Sequence, residues 1–413
     1  MHLTYQYRIK PSAEQTTVLD NWMELLRRHG NYALGQRLDW LNLTRCQIDR
    51  CSIVSEPIGK IPAQVDYYTQ QAALKETKQL FPEYKEIYSE VQQLNLQRLD
   101  KAWKRWLIPD KTGNRGGRPR FKKKGELRSI SFSRVNNPKA VCFLEGSILR
   151  IPRLGMIPVV LHRPIPDRFT PKTATIVRKA DGWYLCIVIE DASVPSAMPV
   201  DDVKSVVGVD VGLKEFLTTS EGEAVPVQQH YRLAQRHLAH QQCCLSRQKE
   251  GSNRYKKQQN KVARIHQRIA RQRQDFHYRT AHDLVKKYDL IAVEDLKVKN
   301  LARNSKLAKS IYDVAWSAFI TILEAVAVKR GVHVVKVPPH GTSQDCSGCG
   351  VKVPKTLSIR THECHKCGLT MDRDENAAIN ILHRALNAVG LMVSARGGFE
   401  DTQPVKRETS TGS

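Results

Sequence analysis

Acidic residues are in short supply: Asp+Glu number 41 against 66 Lys+Arg, which leaves a formal net charge of +25. A surplus of this size points to a polyanionic partner, either nucleic acid or an anionic membrane surface. Long hydrophobic runs are missing as well. No stretch of about 18 uncharged apolar residues occurs, which argues against a transmembrane helix. The opening MHLTYQYRIKPSAEQ lacks the apolar core of a secretory signal. The expected location is therefore cytoplasmic; an anionic membrane surface is set aside only by the acids and the cysteine ribbon further along the chain, so that no membrane partner is expected. In that compartment a disulfide framework is not expected, so the ten cysteines read as thiols or metal ligands. Aromatics are only 7%, but the 41% hydrophobic content excludes wholesale disorder, and the length suggests two to four domains.

The first residues, 3–9, alternate like a strand, and Ser12 with Gln15 reads as a helix-starting cap before an amphipathic run over about 18–38. A helical pattern covers about 62–106, with Val91, Leu94, Leu99, Trp103 and Trp106 at steps of three to five. It stops at Pro109. The following KTGNRGGRPRFKKK, residues 111–124, has seven basic residues, three glycines and no acid. Such a loop suits a phosphate backbone through Arg115, Arg118, Arg120 and Lys122, with Phe121 available to stack on a base; the alternative is a solvated linker. Residues 129–190 then read as six short strands, a spacing that suggests a small β-barrel joined by the N-terminal strand, so that the helices are an insertion. A domain boundary falls near residue 200.

Beyond it the grammar is that of a layered α/β domain. SVVGVD ends an apolar run at Asp210, and LIAVEDL repeats the arrangement with Glu294. An apolar helix over about 311–328 and a strand, VHVVKV, follow. A third carboxylate lies in MDRDENAAINIL: Asp374, Ala378, Leu382 and Ala385 share one helical face, which aims Asp374 at the sheet. Asp372 instead fits an Asp-x-x-Glu cap with Glu375. Three such acids would repel one another unless a cation neutralised them, and hard oxygen ligands suit Mg²⁺ or Mn²⁺. Two ions about 3.5–4 Å apart would serve phosphodiester hydrolysis.

Cys346-x₂-Cys349 and Cys364-x₂-Cys367, each pair followed by glycine, have the spacing of a structural four-cysteine Zn²⁺ ribbon. With four thiolates satisfying the metal, His362 and His365 read as surface or nucleic-acid-facing residues. Cys142 and Cys186 sit in strand patterns and read as core residues, and Cys46, Cys51, Cys243 and Cys244 show no second ligand set. Between the first two acids, Arg254, Lys257, Lys261, Arg264, Arg268 and Arg271 recur at alternating steps of three and four, and no acid falls in residues 251–274. Phosphate relieves the self-repulsion of that face, so it reads as a contact to a heteroduplex or DNA backbone; the alternatives are a solvated helix face and an anionic membrane surface, the latter disfavoured by the acids and the ribbon.

GVDVGLKEF, AVEDL, PPHGTSQDCSGCG and ECHKCGLTMDRDENAAINIL together resemble the RuvC motifs and zinc ribbon of TnpB, the OrfB-type insertion-sequence proteins related to type V CRISPR effectors; YRIKPSAEQ resembles that family's opening. The resemblance implies a multidomain α+β chain. Its parts would be an RNase H-like (RuvC) nuclease domain over 201–341 and 369–390, interrupted by the ribbon at 342–368, and a wedge-type β-barrel over 1–12 and 120–200. The barrel would carry a helical recognition domain over 13–119, and a disordered tail would follow at 391–413. It further implies a guide RNA from the transposon end and a double-stranded DNA target cut beside a short flanking motif by a monomer on one RNA. Asp210, Glu294 and Asp374 would be the catalytic magnesium ligands. The alternative is a guide-RNA-dependent DNA-binding regulator of transposition or transcription with little or no cleavage; a guide-independent nuclease is a third possibility.

Overall fold

A computed structural model of the chain describes residues 2–45, 63–111, 113–167, 169–191, 194–356 and 359–390; Cys46, Cys51 and the 391–413 tail lie outside them. Two units divide the chain, Met1–Ser193 and Val194–Ser413.

In the first unit, β1 (His2–Ile9) leads into α1 (Ala13–Arg45), longer than the expected run. The cap forms as anticipated: the Gln15 N–H donates to Ser12 Oγ at 3.1 Å and the Ser12 N–H to Gln15 Oε1 at 2.9 Å. The helical stretch that follows is broken, into α2 (Tyr67–Ala72), α3 (Leu74–Leu80) and α4 (Ser89–Leu107). Pro82, which has no N–H to donate, opens a single 3₁₀ turn between α3 and α4. Six strands complete the unit: β2 (Ser129–Phe132), β3 (Phe143–Glu145), β4 (Ile148–Ile151), β5 (Gly155–Val160), β6 (Thr170–Lys179) and β7 (Gly182–Glu190).

A continuous antiparallel sheet in the order β2-β6-β7-β1-β5-β4-β3 stands where the strand spacing suggested a small barrel. β1 lies inside it, paired with β7 and β5, so the helices α1 to α4 are inserted between two strands of one sheet. Leu19, Trp22 and Leu26 of α1 join Ile130, Phe132, Ile176 and Ile187 in its core. Cys142 is fully buried there, and burial pushes its thiol up to about 12, while Cys186 is only half-buried.

The second unit begins with β8 (Val206–Asp210), β9 (Glu215–Thr219) and β10 (Ala224–Pro226), followed by α5 (His230–Ser246) and α6 (Asn253–Lys287). Next come β11 (Leu290–Glu294), α7 (Val298–Leu301), α8 (Ser305–Val314), α9 (Trp316–Val328) and β12 (His333–Val337). A hairpin of β13 (Thr361–Glu363) and β14 (Thr370–Asp372) precedes α10 (Arg373–Val389). The five-stranded sheet has the order β10-β9-β8-β11-β12, with β8, β11 and β12 parallel and the other neighbours antiparallel.

Strand alternation assigns the two faces. Val207, Val209, Ile291 and Val293 pack with residues of α6 and α9, whereas Leu290 and Ala292 pack with Ile381 and Ala385 of α10. The expected apolar helix is two helices, because Ala315 adopts a left-handed conformation at φ 56° and ends α8 before α9 starts. Ser305–Val328 reaches the length and mean hydropathy, 1.6, of a membrane span, which the charge-interrupted sequence did not suggest. Half of it is buried, and Ile311, Val314, Trp316, Phe319 and Leu323 belong to the sheet's core.

Candidate functional site

Asp210 and Glu294 close two neighbouring parallel strands at the same level, because the register pairs Val209 with Val293 one residue earlier. By the two-residue repeat, both acids share the face of Gly208 and Ala292, the face covered by α10. The carboxyl ends of parallel strands are where α/β sheets place ligands.

What lets α10 come close is the absence of a side chain at Gly208. A Cβ there would lie 1.9 Å from the Ala378 carbonyl oxygen and 2.9 Å from Leu382 Cβ. Ala378 and Leu382 belong to the face predicted to carry Asp374, and that face lies on β8. The helix begins where Asp372 caps it, accepting the Asp374 N–H at 2.8 Å, so Asp372 is a cap and Asp374 the inward residue. Burial first, then the charges of Glu294 and Asp374, hold the Asp210 carboxyl well above the usual carboxylate range. Glu294, 8% exposed, is also raised by burial, against the pull of its hydrogen bond from Thr342 and the charge of Arg384.

Asp374 is not bare. Arg373 donates to its Oδ1 from Nε at 3.1 Å and from Nη2 at 2.9 Å, and Arg360 reaches Oδ2 at 3.3 Å. Among the described residues, only Cys346, Cys349, Cys364 and Cys367 form a His/Cys/Asp/Glu set whose donor atoms all lie within 4.8 Å of one another. Asp210, Glu294 and Asp374 lie close enough for the charges of the other two to raise the Asp210 carboxyl. Their donor chemistry fits a hard divalent cation, and their mutual repulsion is the kind a cation relieves.

The four thiols fit zinc closely. Cys346 and Cys364 each sit at the start of the same small loop: the N–H groups of Gly350 and Gly368 donate back to their carbonyls at 2.8 and 2.9 Å. Gly350 and Gly368 have φ values of 72° and 74°, the left-handed region that explains a glycine after each pair. The amides of Cys367 and, more weakly, Lys366 hold the Cys364 thiol down to about 6, toward the thiolate a metal binds. His365 is exposed as anticipated, but His362, the middle residue of β13, is 0% exposed and hydrogen-bonded to Lys355, so it does not face solvent.

The charged surfaces lie as follows. Arg254, Lys257, Lys261, Arg264, Arg268 and Arg271 are all exposed along α6, while Ile269 on the opposite stripe is buried. The basic loop is exposed at Arg115, Arg120 and Phe121 yet tied down. Asn31 of α1 exchanges hydrogen bonds of 2.9 Å with the backbone of Lys122, and the Arg118 guanidinium lies 5.6 Å from the Trp106 ring centre.

Sequence reasoning did not find Gly208, Thr342, Arg360, Arg373, Asn376, Asn380 or Arg384. For Gly208 a signal existed: an isolated glycine inside an apolar strand marks close approach of another backbone.

Residues 186–305 match the OrfB_IS605 family model, described as "Probable transposase", and 316–381 match the Cas12f1-like TNB domain. A helix-turn-helix model matches 1–46, a stretch that here is β1 followed by one continuous helix. A protein of Streptomyces pristinaespiralis named "Putative RNA-guided DNA endonuclease" is 30% identical over 417 residues, covering 99% of this chain and 94% of its own length. The chain belongs to the TnpB (OrfB) family. Another relative, InsQ of Escherichia coli K12, is 30% identical over 78% of this chain and 80% of its own length. A mimivirus TnpB-like protein, L79, is 31% identical over 46% of this chain and 39% of its own length. Among solved structures, a Cas12f1–sgRNA–target DNA complex aligns over 92% of this chain and 98% of that one, at 12% identity and a TM-score of 0.47.

Proposed function

We propose that this TnpB-family chain is an RNA-guided DNA endonuclease of a transposon, acting in the cytoplasm and cutting double-stranded DNA beside a short flanking motif. In this reading the Val194–Ser413 unit is an RNase H-like (RuvC) nuclease with an inserted zinc ribbon. The Met1–Ser193 unit is a wedge-type sheet domain carrying a helical recognition domain. One observation carries the reading: Asp210 and Glu294 end adjacent parallel strands on the face that α10 covers, where Asp374 adds a third charge close enough to raise the Asp210 carboxyl.

The roles follow from that arrangement. Asp210, Glu294 and Asp374 are the carboxylates that would hold Mg²⁺ or Mn²⁺, which when bound supplies an activated water and charge stabilisation at the leaving oxygen. Arg373 and Arg360 hold Asp374 in place from two sides. Cys346, Cys349, Cys364 and Cys367 would hold Zn²⁺ as a structural ion. The exposed bases of α6 and the loop residues Arg115, Arg118, Arg120, Phe121 and Lys122 would follow the backbones of guide RNA and target strand, base pairing supplying the sequence specificity.

The test is cleavage of a plasmid carrying a guide-matched target and a library of flanking motifs, with the chain purified on its guide RNA and Mg²⁺. Asp210→Ala is expected to lower the rate at least ~10³-fold while target binding persists, since a reaction built on metal-held charge loses most of its stabilisation with one ligand. Wild-type cleavage by Asp210→Ala would falsify the assignment. Target binding is expected to weaken steeply with salt, in proportion to the phosphates neutralised.

The second reading, a guide-RNA-dependent DNA-binding regulator with little or no cleavage, is favoured by one feature, the two arginines paired with Asp374. Guided binding without nicking by the wild-type chain across Mg²⁺ and Mn²⁺ would select it.

A further inference from the structure

Thr342 lies in the loop that leaves β12 for the ribbon and is 4% exposed. Its hydroxyl donates to Glu294 Oε1 at 2.6 Å. The same hydroxyl is 3.2 Å from the Pro339 carbonyl, but one hydrogen cannot serve both, and an ionised carboxylate is the stronger acceptor. Glu294 Oε2 makes no hydrogen bond among the described residues. The terminal torsion of a glutamate is soft and two-fold, so a carboxylate held at neither oxygen presents both interchangeably. Held at Oε1, Glu294 keeps one orientation and one oxygen for a ligand.

Thr342 is fixed in turn, and from a single helix. Asn380 Nδ2 donates to the carbonyls of Thr342 and Asp345 at 2.8 and 2.7 Å, and Asn376 Nδ2 to Asp345 at 2.9 Å. One turn further, Arg384 bonds the carbonyls of Pro338 and His340 at 3.0 and 2.6 Å and Asp345 Oδ2 at 2.8 Å. Residues 376, 380 and 384 recur every four positions, so they form one ridge of α10. That helix also begins with Asp374.

We propose that Thr342 is a positioning residue for Glu294, so that α10 sets two acids at once: Asp374 directly, and Glu294 through Asn380 and Thr342. The proposal rests on the nuclease reading above. Its test uses the zinc-loaded full-length chain. Mn²⁺ binding is followed by electron paramagnetic resonance, and the Mg²⁺ dependence of guided cleavage is measured in parallel. Thr342→Val removes the hydroxyl at nearly constant volume and is expected to weaken Mn²⁺ binding and raise half-saturating Mg²⁺ by about 10–100-fold, the usual effect of losing a partner behind a metal ligand. Thr342→Ser, which keeps the hydroxyl, is expected to restore most of the affinity. Unchanged affinity in Thr342→Val, or equal losses in the two variants, overturns the proposal.

If Thr342→Val folds poorly by thermal midpoint and zinc content, Asn380→Ala frees the loop with the hydroxyl in place. It is expected to weaken Mn²⁺ binding several-fold, and an unchanged affinity overturns the proposal equally. Glu294→Gln separates the two levels. If it binds Mn²⁺ and cleaves like wild type, the nuclease reading fails; if it loses both while Thr342→Val loses neither, only the positioning role fails.

Discussion

The sulfur atoms of Cys346, Cys349, Cys364 and Cys367 meet because two small loops of the same kind each present a pair of thiols, and glycine lets each loop turn. The carboxylates of Asp210, Glu294 and Asp374 come together only after two strands, a helix and the loop at 338–345 have assembled, steadied by the neighbouring Arg373 and by Arg360 and Thr342 from other segments. The thiols lie within 4.8 Å of one another, and Asp210 feels the charges of both other acids. A soft, neutralisable thiol set tolerates close approach before a metal arrives, whereas carboxylates at that distance repel. The ribbon is thus gathered by local backbone geometry, and the acid centre by tertiary packing that holds like charges a short distance apart.

If that contrast is right, the ribbon fails as a block. Cys364→Ser is expected to remove zinc, measured by atomic absorption, and to lower the thermal midpoint by on the order of 10 °C, because structural zinc contributes folding energy outright. A variant that keeps both its zinc and its midpoint would show that the fourth thiol is dispensable. Gly208→Ala attacks the other centre alone. The new methyl drives α10 off β8, which is expected to cost about 1–3 kcal/mol in urea unfolding and about 10²-fold in cleavage, with zinc content unchanged. Loss of zinc in this variant would mean that the two centres are not separately built.

The smallest effect sharpens the charge argument. The folded-state pKa of Asp210 is raised, so between the unfolded and folded values the native chain binds the extra proton, and its stability falls as pH rises through that window. Asp210→Asn removes the ionisation and is expected to stabilise the zinc-loaded chain at pH 8 with no further divalent cation added. The gain should be about 2–4 °C for each kcal/mol of repulsion relieved, vanishing below the ordinary carboxylate range. A gain that is equal at pH 4 and pH 8 would point to packing rather than charge.

The same contrast explains what could be read without coordinates. The four-cysteine cluster is legible because its cysteines and turns are local in sequence, and the placement of Asp210 and Glu294 at neighbouring strand ends is legible because a carboxylate ending a buried apolar run stands out. Asp374 could be preferred over Asp372 by helical phase alone. Thr342, Asn380 and Arg384 were not legible, since their partners lie in other elements and nothing in their spacing names those partners. Nor was the break at Ala315, a residue with good helix propensity held left-handed between α8 and α9 by its surroundings. His362 was misread because nothing in the three residues Thr361–Glu363 tells which face of a short hairpin is covered.

The place of β1 in the first sheet carries a consequence for synthesis. Its partners on β7 run from Trp183 to Glu190, so the first strand to be made pairs with the last of its sheet. At about 5–20 residues per second, a ribosome takes on the order of 10–40 s to bring them together. Until β5 and then β7 emerge, β1 lacks its strand partners, and α1 to α4 are made before the sheet that anchors them. The helical insertion therefore either folds first on its own or waits, and pulse-labelled hydrogen exchange on stalled nascent chains would tell which.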